Sequence, residues 1–334
     1  VFGKKVLMLK EDILKILKSD GGYISGEDIC SRCHVSRTAV WKAVKRLKEE
    51  GYQIDAVRNR GYRLLPGTDV LNNAEIGAVL SGIPFLKEFR FFPTIDSTNK
   101  AAKLLAEEGS SGPALVVADE QTAGRGRRGR TWISPPGTGI WMSILLRPDL
   151  PAEKSSMITL VSALAVTEGI REVTGVACGI KWPNDIVADG RKICGILTEM
   201  STDMDGISYI VTGIGINANT EEFPPEIAAV ASSLKIETGK TVQRVKIIGA
   251  VMRKFAVYYE KFVRDGSFQG LKDLYEEYLV NQGREVAVLD PKGEYRGVAE
   301  GISDDGELLV RTEDGSVHTV LSGEVSVRGI YSYT

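Results

Sequence analysis

The sequence predicts a multidomain α+β protein, with an N-terminal helix-turn-helix unit closed by a β-hairpin, a central mixed α/β domain and a small C-terminal β-barrel. Three observations carry that reading. Residues 1–66 are basic, with 14 Lys+Arg against 8 Asp+Glu, whereas the rest of the chain holds 28 against 36. Apolar residues recur at helical spacing in the first third and mix helical spacing with apolar runs in the middle; after Arg284 they turn to short alternating stretches. Pro66-Gly67-Thr68-Asp69 marks a linker where the composition changes. The expected boundaries are therefore 1–66, 67–283 and 284–334.

A length of 334 residues leaves room for two or three domains, and 43% apolar with 26% charged residues is ordinary for a soluble globular protein. No run of eighteen apolar residues occurs, and the charged N-terminus has no small-residue cleavage site. Neither a membrane span nor a secretory signal is expected, and the compartment is expected to be cytoplasmic. Four cysteines, Cys30, Cys33, Cys178 and Cys194, are too few for a disulfide framework. Cys30-Ser31-Arg32-Cys33-His34 spells the c-type haem attachment pattern, but there is no export signal and the only other histidine is His318. Haem is set aside, zinc lacks ligands, and no metal site is expected. The plain reading of Cys30 is a small buried residue on a helix.

In the N-terminal unit, Val6, Leu9, Ile13, Ile16 and Leu17 fall at spacings of three and four, predicting an amphipathic helix from Val6 to Lys18 that stops at Asp20-Gly21-Gly22. Ser25, with Asp28 three residues on, starts a short second helix containing Ile29. Cys33-His34-Val35 reads as a tight turn. His34 stands where such turns often carry glycine, and histidine is among the residues that tolerate positive φ. Ser36 caps a third helix whose inward face is Val40, Ala43, Val44 and Leu47, and Gly51 ends it. Residues 52–57, a turn at Asn59-Arg60-Gly61, and Tyr62 to Leu65 read as a hairpin.

Two short helices joined by about three residues match the helix-turn-helix module, which seats its second helix in the DNA major groove. With the hairpin added, the unit resembles the winged-helix transcription factors. Arg37, Trp41, Lys45 and Lys48 share the outward stripe of the third helix, with Thr38 and Lys42 beside it. Arg37, Thr38, Lys42 and Lys45 are the expected DNA contacts. A winged helix that binds protein instead, and a packing role for Trp41, remain open.

In the central domain Phe89 to Phe92 is strand-like and precedes Asp96-Ser97-Thr98-Asn99-Lys100, where Ser97 or Thr98 can cap a helix from Lys100 to Glu108. An exposed hydroxyl and amide at a helix N-terminus suit a polar ligand head, though a cap alone explains them. Ala114 to Ala118 reads as a buried strand. After it comes Gln121 to Trp132, which sets Arg125, Arg127, Arg128 and Arg130 among Gly124, Gly126 and Gly129. Glycine lets the backbone present N–H groups to a ligand and arginine supplies forked donors, so an anion is expected here. No Gly-Lys-Ser/Thr closes the loop, which excludes the phosphate-loop template. A solvated basic loop remains the bland alternative.

Gly139 to Leu146 is a core strand ended by Pro148, and Lys154 to Val173 a long helix burying Met157, Leu160, Val161, Leu164, Ala165 and Val166. Ile180 to Ile186 reads as a strand broken by proline, where Lys181 can place a point charge in a cleft. Lys192 to Met200 and Ile207 to Ile216 are strands. Gln243 to Arg264 and Phe268 to Leu279 are helices. Glu285 to Leu289, Tyr295 to Ile302, Leu308 to Arg311, Val317 to Val320 and Val325 to Ile330 are short strands. Turn signals at Pro291-Lys292-Gly293, Asp304-Asp305-Gly306 and Glu313-Asp314-Gly315 separate most of them, which argues a barrel.

Asp96-Ser97-Thr98-Asn99, Gln121 to Trp132, Lys181-Trp182-Pro183-Asn184-Asp185, Gly195-Ile196-Leu197 and Gly213-Ile214-Gly215-Ile216-Asn217 stand in the order seen in biotin–protein ligases. With the winged helix in front, the whole chain resembles the bifunctional biotin ligases that also repress the biotin operon. Lipoate ligases share this catalytic fold, but Gly-Arg-Gly-Arg-Arg-Gly is the biotin-type signature.

The resemblance implies a class II synthetase-like ligase domain and an SH3-like C-terminal barrel. It implies that biotin and MgATP give biotinyl-5′-AMP, whose biotinyl group passes to a lysine of a biotin carboxyl carrier protein. It also implies operator DNA as a partner and a homodimer when adenylate is bound. By the same resemblance Ser97, Thr98, Asn99, Gln121, Arg125, Gly126, Arg127, Lys181 and Gly195 line the biotin site, and Trp132, Asn184 and Asn217 face the adenylate. Arg125, Arg127 and Lys181 carry the catalytic charge, residues 218–225 form a second flap, and the base for the acceptor amine is unassigned. The alternatives are a ligase whose winged helix no longer binds DNA and a regulator that senses an anion without chemistry.

Overall fold

The computed structural model describes residues 2–204, 206–289, 293–321 and 326–329, and side chains within residues 9–321 of that set. The chain divides into two compact units, Val1–Val70 and Leu71–Thr334.

The first unit holds helices α1 (Phe2–Asp20), α2 (Gly26–Cys33) and α3 (Arg37–Glu49) and the antiparallel hairpin β1 (Ile54–Val57) and β2 (Gly61–Leu64). Ile13, Leu17, Ile29, Val40, Val44 and Leu47 close its core, as the helical spacing requires. Ser25 accepts from the Asp28 N–H at 3.0 Å and Ser36 from Ala39 at 3.3 Å, so both expected caps are present. The turn falls on His34, whose φ of 53° is left-handed. Cys33 closes α2 instead of opening that turn, and Cys30 is only half-buried on the edge of the core. The hairpin returns onto the helices through a bridge between Ile24 and Tyr62. Gly61, at φ 101°, passes so close to Ile24 and Ser25 that a Cβ would overlap their backbone.

The second unit opens with α4 (Asn73–Leu80), β3 (Glu88–Ile95), α5 (Thr98–Glu107), β4 (Ala114–Gln121) and β5 (Gly139–Leu146). It continues with α6 (Met157–Thr174), β6 (Cys178–Lys181), β7 (Asp185–Ala188), β8 (Arg191–Asp203) and β9 (Gly206–Asn217). After these come α7 (Pro225–Ala228), α8 (Leu234–Thr238), α9 (Arg244–Asp265) and α10 (Gln269–Tyr278). Strands β3 to β9 form one sheet in the order β3-β4-β5-β9-β8-β7-β6, with only β3 and β4 parallel.

Alternation along the strands gives each face its own task. Leu115, Val117, Ile144, Ile214 and Ile216 pack into the main core with α6 and α9, while Ala114, Val116, Leu145 and Val211 pack against α5. The α5 side of β5, β8 and β9 also carries Ser143, Gly195, Leu197, Glu199, Gly213, Gly215 and Asn217. All but Ser143, which lies behind them, floor the cavity described below.

Three expectations change. The helix expected from Lys154 begins at Met157, after a 3₁₀ turn over Ala152–Ser156 that Pro151 precedes. The strand expected to be broken by proline is an antiparallel hairpin, Lys181 pairing with Asp185 around Trp182-Pro183-Asn184; Pro183 has no N–H to donate to a ladder, so the chain turns there. Strand β8 runs on to Asp203 although its apolar pattern ends at Met200, because the β9 ladder continues through polar residues.

The C-terminal strands β10 (Glu285–Leu289), β11 (Tyr295–Ile302), β12 (Leu308–Arg311), β13 (Val317–Val320) and β14 (Ser326–Gly329) form an antiparallel sheet in the order β13-β12-β11-β10-β14. Val286, Val288, Ala299, Ile302, Leu308 and Val310 join the main core. The Val6 side chain, Pro291, Lys292, Val325 and Ile330 lie outside the described residues.

Candidate functional site

A cavity of about 1030 Å³ opens on the α5 side of the sheet, lined by the loop after β4, the β6–β7 turn, β8, β9 and the segment after β9. Its polar end is built at the N-terminus of α5. Ser97 holds the extended backbone of an N-cap, but its side chain makes no capping bond. The capping acceptor comes from far along the chain: Gln121 Oε1 receives the Thr98 N–H at 2.9 Å and the Thr98 hydroxyl at 3.0 Å. The expectation that Ser97 or Thr98 caps its own helix is therefore corrected, since the orphan donor is met by a strand end that also has to be held in place. Ser97, Thr98 and Asn99 are all buried.

Asn99 uses both amide hydrogens inside the protein, on Leu197 O at 3.3 Å and Glu199 Oε2 at 2.7 Å. Ser143, buried in an otherwise apolar strand, lies 2.8 Å from Thr98 Oγ1 and 2.6 Å from Asn99 Oδ1. Glu199 also pairs with Lys103 at 2.6 Å. Burial pushes the Glu199 carboxyl up, but the bonds from Lys103 and Asn99, with the charges of Lys103 and Arg125, outweigh it and hold the group below its ordinary value.

The glycine-arginine loop has a closed root and an irregular tip. At the root Gln121 Nε2 donates to Ser134 Oγ at 3.0 Å, Ser134 Oγ donates to Trp132 O at 3.1 Å, and Trp132 N–H returns to Gly124 O at 2.9 Å. Gly124 is required because a Cβ would lie 2.8 Å from Ser134 Oγ and still closer to Trp132 O. At the tip residues 127–129 make one 3₁₀ turn, with Arg128 left-handed at φ 55°. The four arginines separate accordingly: Arg127 is half-buried, while Arg125, Arg128 and Arg130 are exposed on the cavity rim.

Arg127 Nη1 donates to Asn184 Oδ1 at 2.6 Å, which joins the loop to the segment carrying Lys181. Burial pulls the Arg127 guanidinium below its ordinary value, the Asp185 carboxylate raises it and Arg128 lowers it further. Lys181 lines the same cavity and is buried. Asn184 is held in turn by donating to Ile196 O and Asp185 Oδ1, each at 3.1 Å.

Trp132 lies over a glycine shelf. Gly195 and Gly215 are cross-strand partners, and a Cβ on either would come within 2.9 and 2.6 Å of the indole. Lys192 stands 5.2 Å from the ring centroid and pairs with Asp185 at 2.5 Å. Asn217 donates to Ser232 O at 3.1 Å, anchoring the segment whose Thr220, Glu222, Phe223 and Pro224 form the facing wall.

Every site residue expected in the central domain therefore lines this one cavity: Ser97, Thr98, Asn99, Gln121, Arg125, Gly126, Arg127, Trp132, Lys181, Asn184, Gly195 and Asn217. Sequence reasoning missed Lys192, Glu199 and Lys103 in its lining, and Ser143 and Ser134 behind it. The signals were a serine inside an apolar strand, a glutamate on the cavity face of β8, and a lysine one helical turn after Asn99. The arrangement can hold a mainly apolar ligand with a polar head at one end and a negative charge at Arg127 and Lys181, which line the cavity from the loop and from the end of β6. Among the described residues no group of three or more His, Cys, Asp or Glu side chains is placed to hold a metal.

In the first unit Arg37, Thr38, Lys42 and Lys45 are all exposed on α3. Arg37 pairs with Glu27 at 3.1 Å between two exposed side chains, a contact that water leaves weak. Trp41 is 55% exposed on the same stripe, against a packing role, and Lys45 lies 5.8 Å from its ring.

Comparisons with known proteins agree with this layout. Residues 91–217 match the model of the biotin/lipoate A/B protein ligase family, residues 10–63 an HTH domain and residues 283–328 the biotin protein ligase C-terminal domain. The chain is similar to the bifunctional ligase/repressor BirA of Bacillus subtilis, 38% identical over 96% of this chain and 98% of that protein. It is 34% identical to the biotin–[acetyl-CoA-carboxylase] ligase of Paracoccus denitrificans over 66% of this chain and 92% of that one. The biotin protein ligase of Aquifex aeolicus in complex with biotin and ATP superposes with a TM-score of 0.65 at 35% identity, covering 73% of this chain and 99% of that one.

The closed loop root yields a prediction that needs no ligand. Gly124→Ala should detach Trp132 and Ser134 from the root and speed tryptic cleavage between Arg125 and Arg130 about tenfold, as expected when a local opening becomes easier by about 1.4 kcal/mol. Cleavage at the unaltered rate, read by mass spectrometry of the fragments, would contradict the root geometry.

Proposed function

Because the chain belongs to the biotin–protein ligases, in their bifunctional ligase/repressor branch, we propose that it joins biotin to a carrier protein in two steps and that its first unit binds operator DNA to repress biotin genes. In the first step a biotin carboxylate oxygen attacks the α-phosphorus of ATP, a new O–P bond forms, and pyrophosphate leaves to give biotinyl-5′-AMP. In the second the amine of an acceptor lysine on a biotin carboxyl carrier protein attacks the acyl carbon. The amide forms, AMP leaves, and the amine gives up its proton.

The observation that carries this reading is that Arg127 and Lys181 line one cavity, with Arg127 bonded to Asn184 three residues beyond the lysine. A carboxylate approaching a polyphosphate must overcome repulsion between anions, so fixed cations are needed where they meet. Arg127 supplies a planar fork and Lys181 a compact charge. Both lie in surroundings drier than bulk water, where their pull on the developing charge is stronger. Arg125 stands on the rim as a third, more exposed cation.

Ser97, Thr98, Asn99, Gln121, Gly126 and Gly195 then surround biotin, its polar ring system at the α5 end and its carboxylate toward the arginines. Trp132 on the glycine shelf, Asn184 and Asn217 face the adenylate. Mg²⁺ enters as part of the nucleotide, because the carboxylates of the cavity do not form a protein cage and this ion binds largely through substrate phosphates and its own waters. When bound it neutralises phosphate charge. Adenylate binding orders the loops and favours a homodimer, whose paired recognition helices suit paired half-sites.

The deciding experiment mixes protein, biotin and γ-labelled MgATP. Release of labelled pyrophosphate that requires biotin is expected, and Arg127→Gly should lower it by about a hundredfold. No release would leave a sensor without chemistry, and release independent of biotin would mean that water, not the biotin carboxylate, attacks ATP; either contradicts the reading. For the first unit, Lys42→Ala and Lys45→Ala should each weaken binding to DNA from upstream of biotin genes. If each contacts a phosphate, each should reduce the slope of log affinity against log salt by about 1. A gel shift unchanged by both variants would contradict the assigned DNA face.

A further inference from the structure

Lys181 ends β6, and β6 is the last strand of its sheet, paired by β7 on one side only. Its other side is closed by the segment leading from α10 to β10. Ile180 bridges Leu279 in parallel and its carbonyl receives the Val280 N–H at 2.9 Å. Gly179 permits that approach, since a Cβ there would lie 2.8 Å from Tyr278 O. The next residue after the lysine is gripped twice. The Trp182 backbone N–H donates to Asn281 Oδ1 at 2.8 Å, and its indole N–H donates to Gly306 O, in the β11–β12 turn, at 3.0 Å.

Trp182 is 2% exposed and Asn281 fully buried. Asn281 Nδ2 has no partner among the described residues. A buried amide that leaves its own hydrogens unbonded is a poor choice for packing alone, where leucine would fill similar space without that penalty. What distinguishes asparagine here is the bond it does make, to the N–H immediately after Lys181.

We infer that Asn281 and Trp182 are positioning residues for Lys181, so that the seat of its ammonium group at the reacting phosphate is set by the segment leading from α10 to β10 and by the β11–β12 turn. This rests on the role given to Lys181 above. Small shifts of a charged group in a reaction site cost more than their size suggests, because charge stabilisation depends on fixed geometry.

The test is retention of the adenylate. The full chain is loaded with preformed labelled biotinyl-5′-AMP, excess ligand is removed, and loss of label is timed for Asn281→Leu and Trp182→Phe, each with Lys181 intact and with Lys181→Ala. Trp182→Phe keeps an aromatic ring and the backbone bond while removing the indole N–H, so it decides the matter if Asn281→Leu does not fold. With Lys181 present, either variant should speed loss about tenfold; with alanine at 181, neither should change it by more than about twofold. Equal acceleration in both backgrounds would mean a general structural effect and overturn the inference. Lys181→Ala alone losing label no faster than the unaltered chain would overturn the role of Lys181, and this inference with it.

Discussion

The proposed reaction requires two cations from separate stretches of chain to act at the same point, and both of those stretches are tied down far from their own neighbours in sequence. Arg127 sits at the tip of a loop and Lys181 at the end of a strand. Neither position is rigid by itself, since a glycine-rich loop is free to move and an end strand lacks a partner on one side. The structure answers the two problems differently. The loop is tied at its root by Gln121, Ser134, Trp132 and Gly124, and at its tip by the bond from Arg127 to Asn184. The strand is backed by residues 278–281 and by Trp182.

Gln121 links the two ends of the site. Its carbonyl oxygen caps α5 through Thr98 while its amide nitrogen holds Ser134, so one side chain fixes both the polar end of the cavity and the base of the arginine loop. Alternation along β8 and β9 does the rest: the face toward α6 and α9 is apolar except for Thr198 and Thr212, which bond to Thr159 and Ser162 of α6, and on the opposite face the paired glycines Gly195 and Gly215 leave room for Trp132. A shelf of this kind works only with glycine, because any side chain would lift the ring.

Elements whose stability comes from local pattern were legible in the sequence. The caps at Ser25 and Ser36, the positive φ of His34, the strand Gly139–Leu146 and the helix after Gln243 all follow from residues close in the chain. The motif residues of the cavity were legible too, through resemblance and through the chemistry of glycine beside arginine. What was hidden depends on partners far away. Nothing near Ser97 reveals that its helix is capped by Gln121, and nothing near Lys181 reveals Asn281. Lys192 and Glu199 read as ordinary strand residues until pairing of β7, β8 and β9 turns them toward the cavity. The proline at 183 was seen as a break, but its outcome as a hairpin needed the register of β6 against β7.

The central claim is that Arg127 and Lys181 close on one negatively charged reaction centre. A crystal structure of the full chain with a non-hydrolysable biotinyl-adenylate analogue tests it most directly. The account predicts donor nitrogens of both residues within about 3 Å of the linking phosphate or acyl oxygens, with residues 124–130 ordered over the ligand. A ligand seated in the cavity while that loop points to solvent, with Lys181 bonded only to protein, would contradict it.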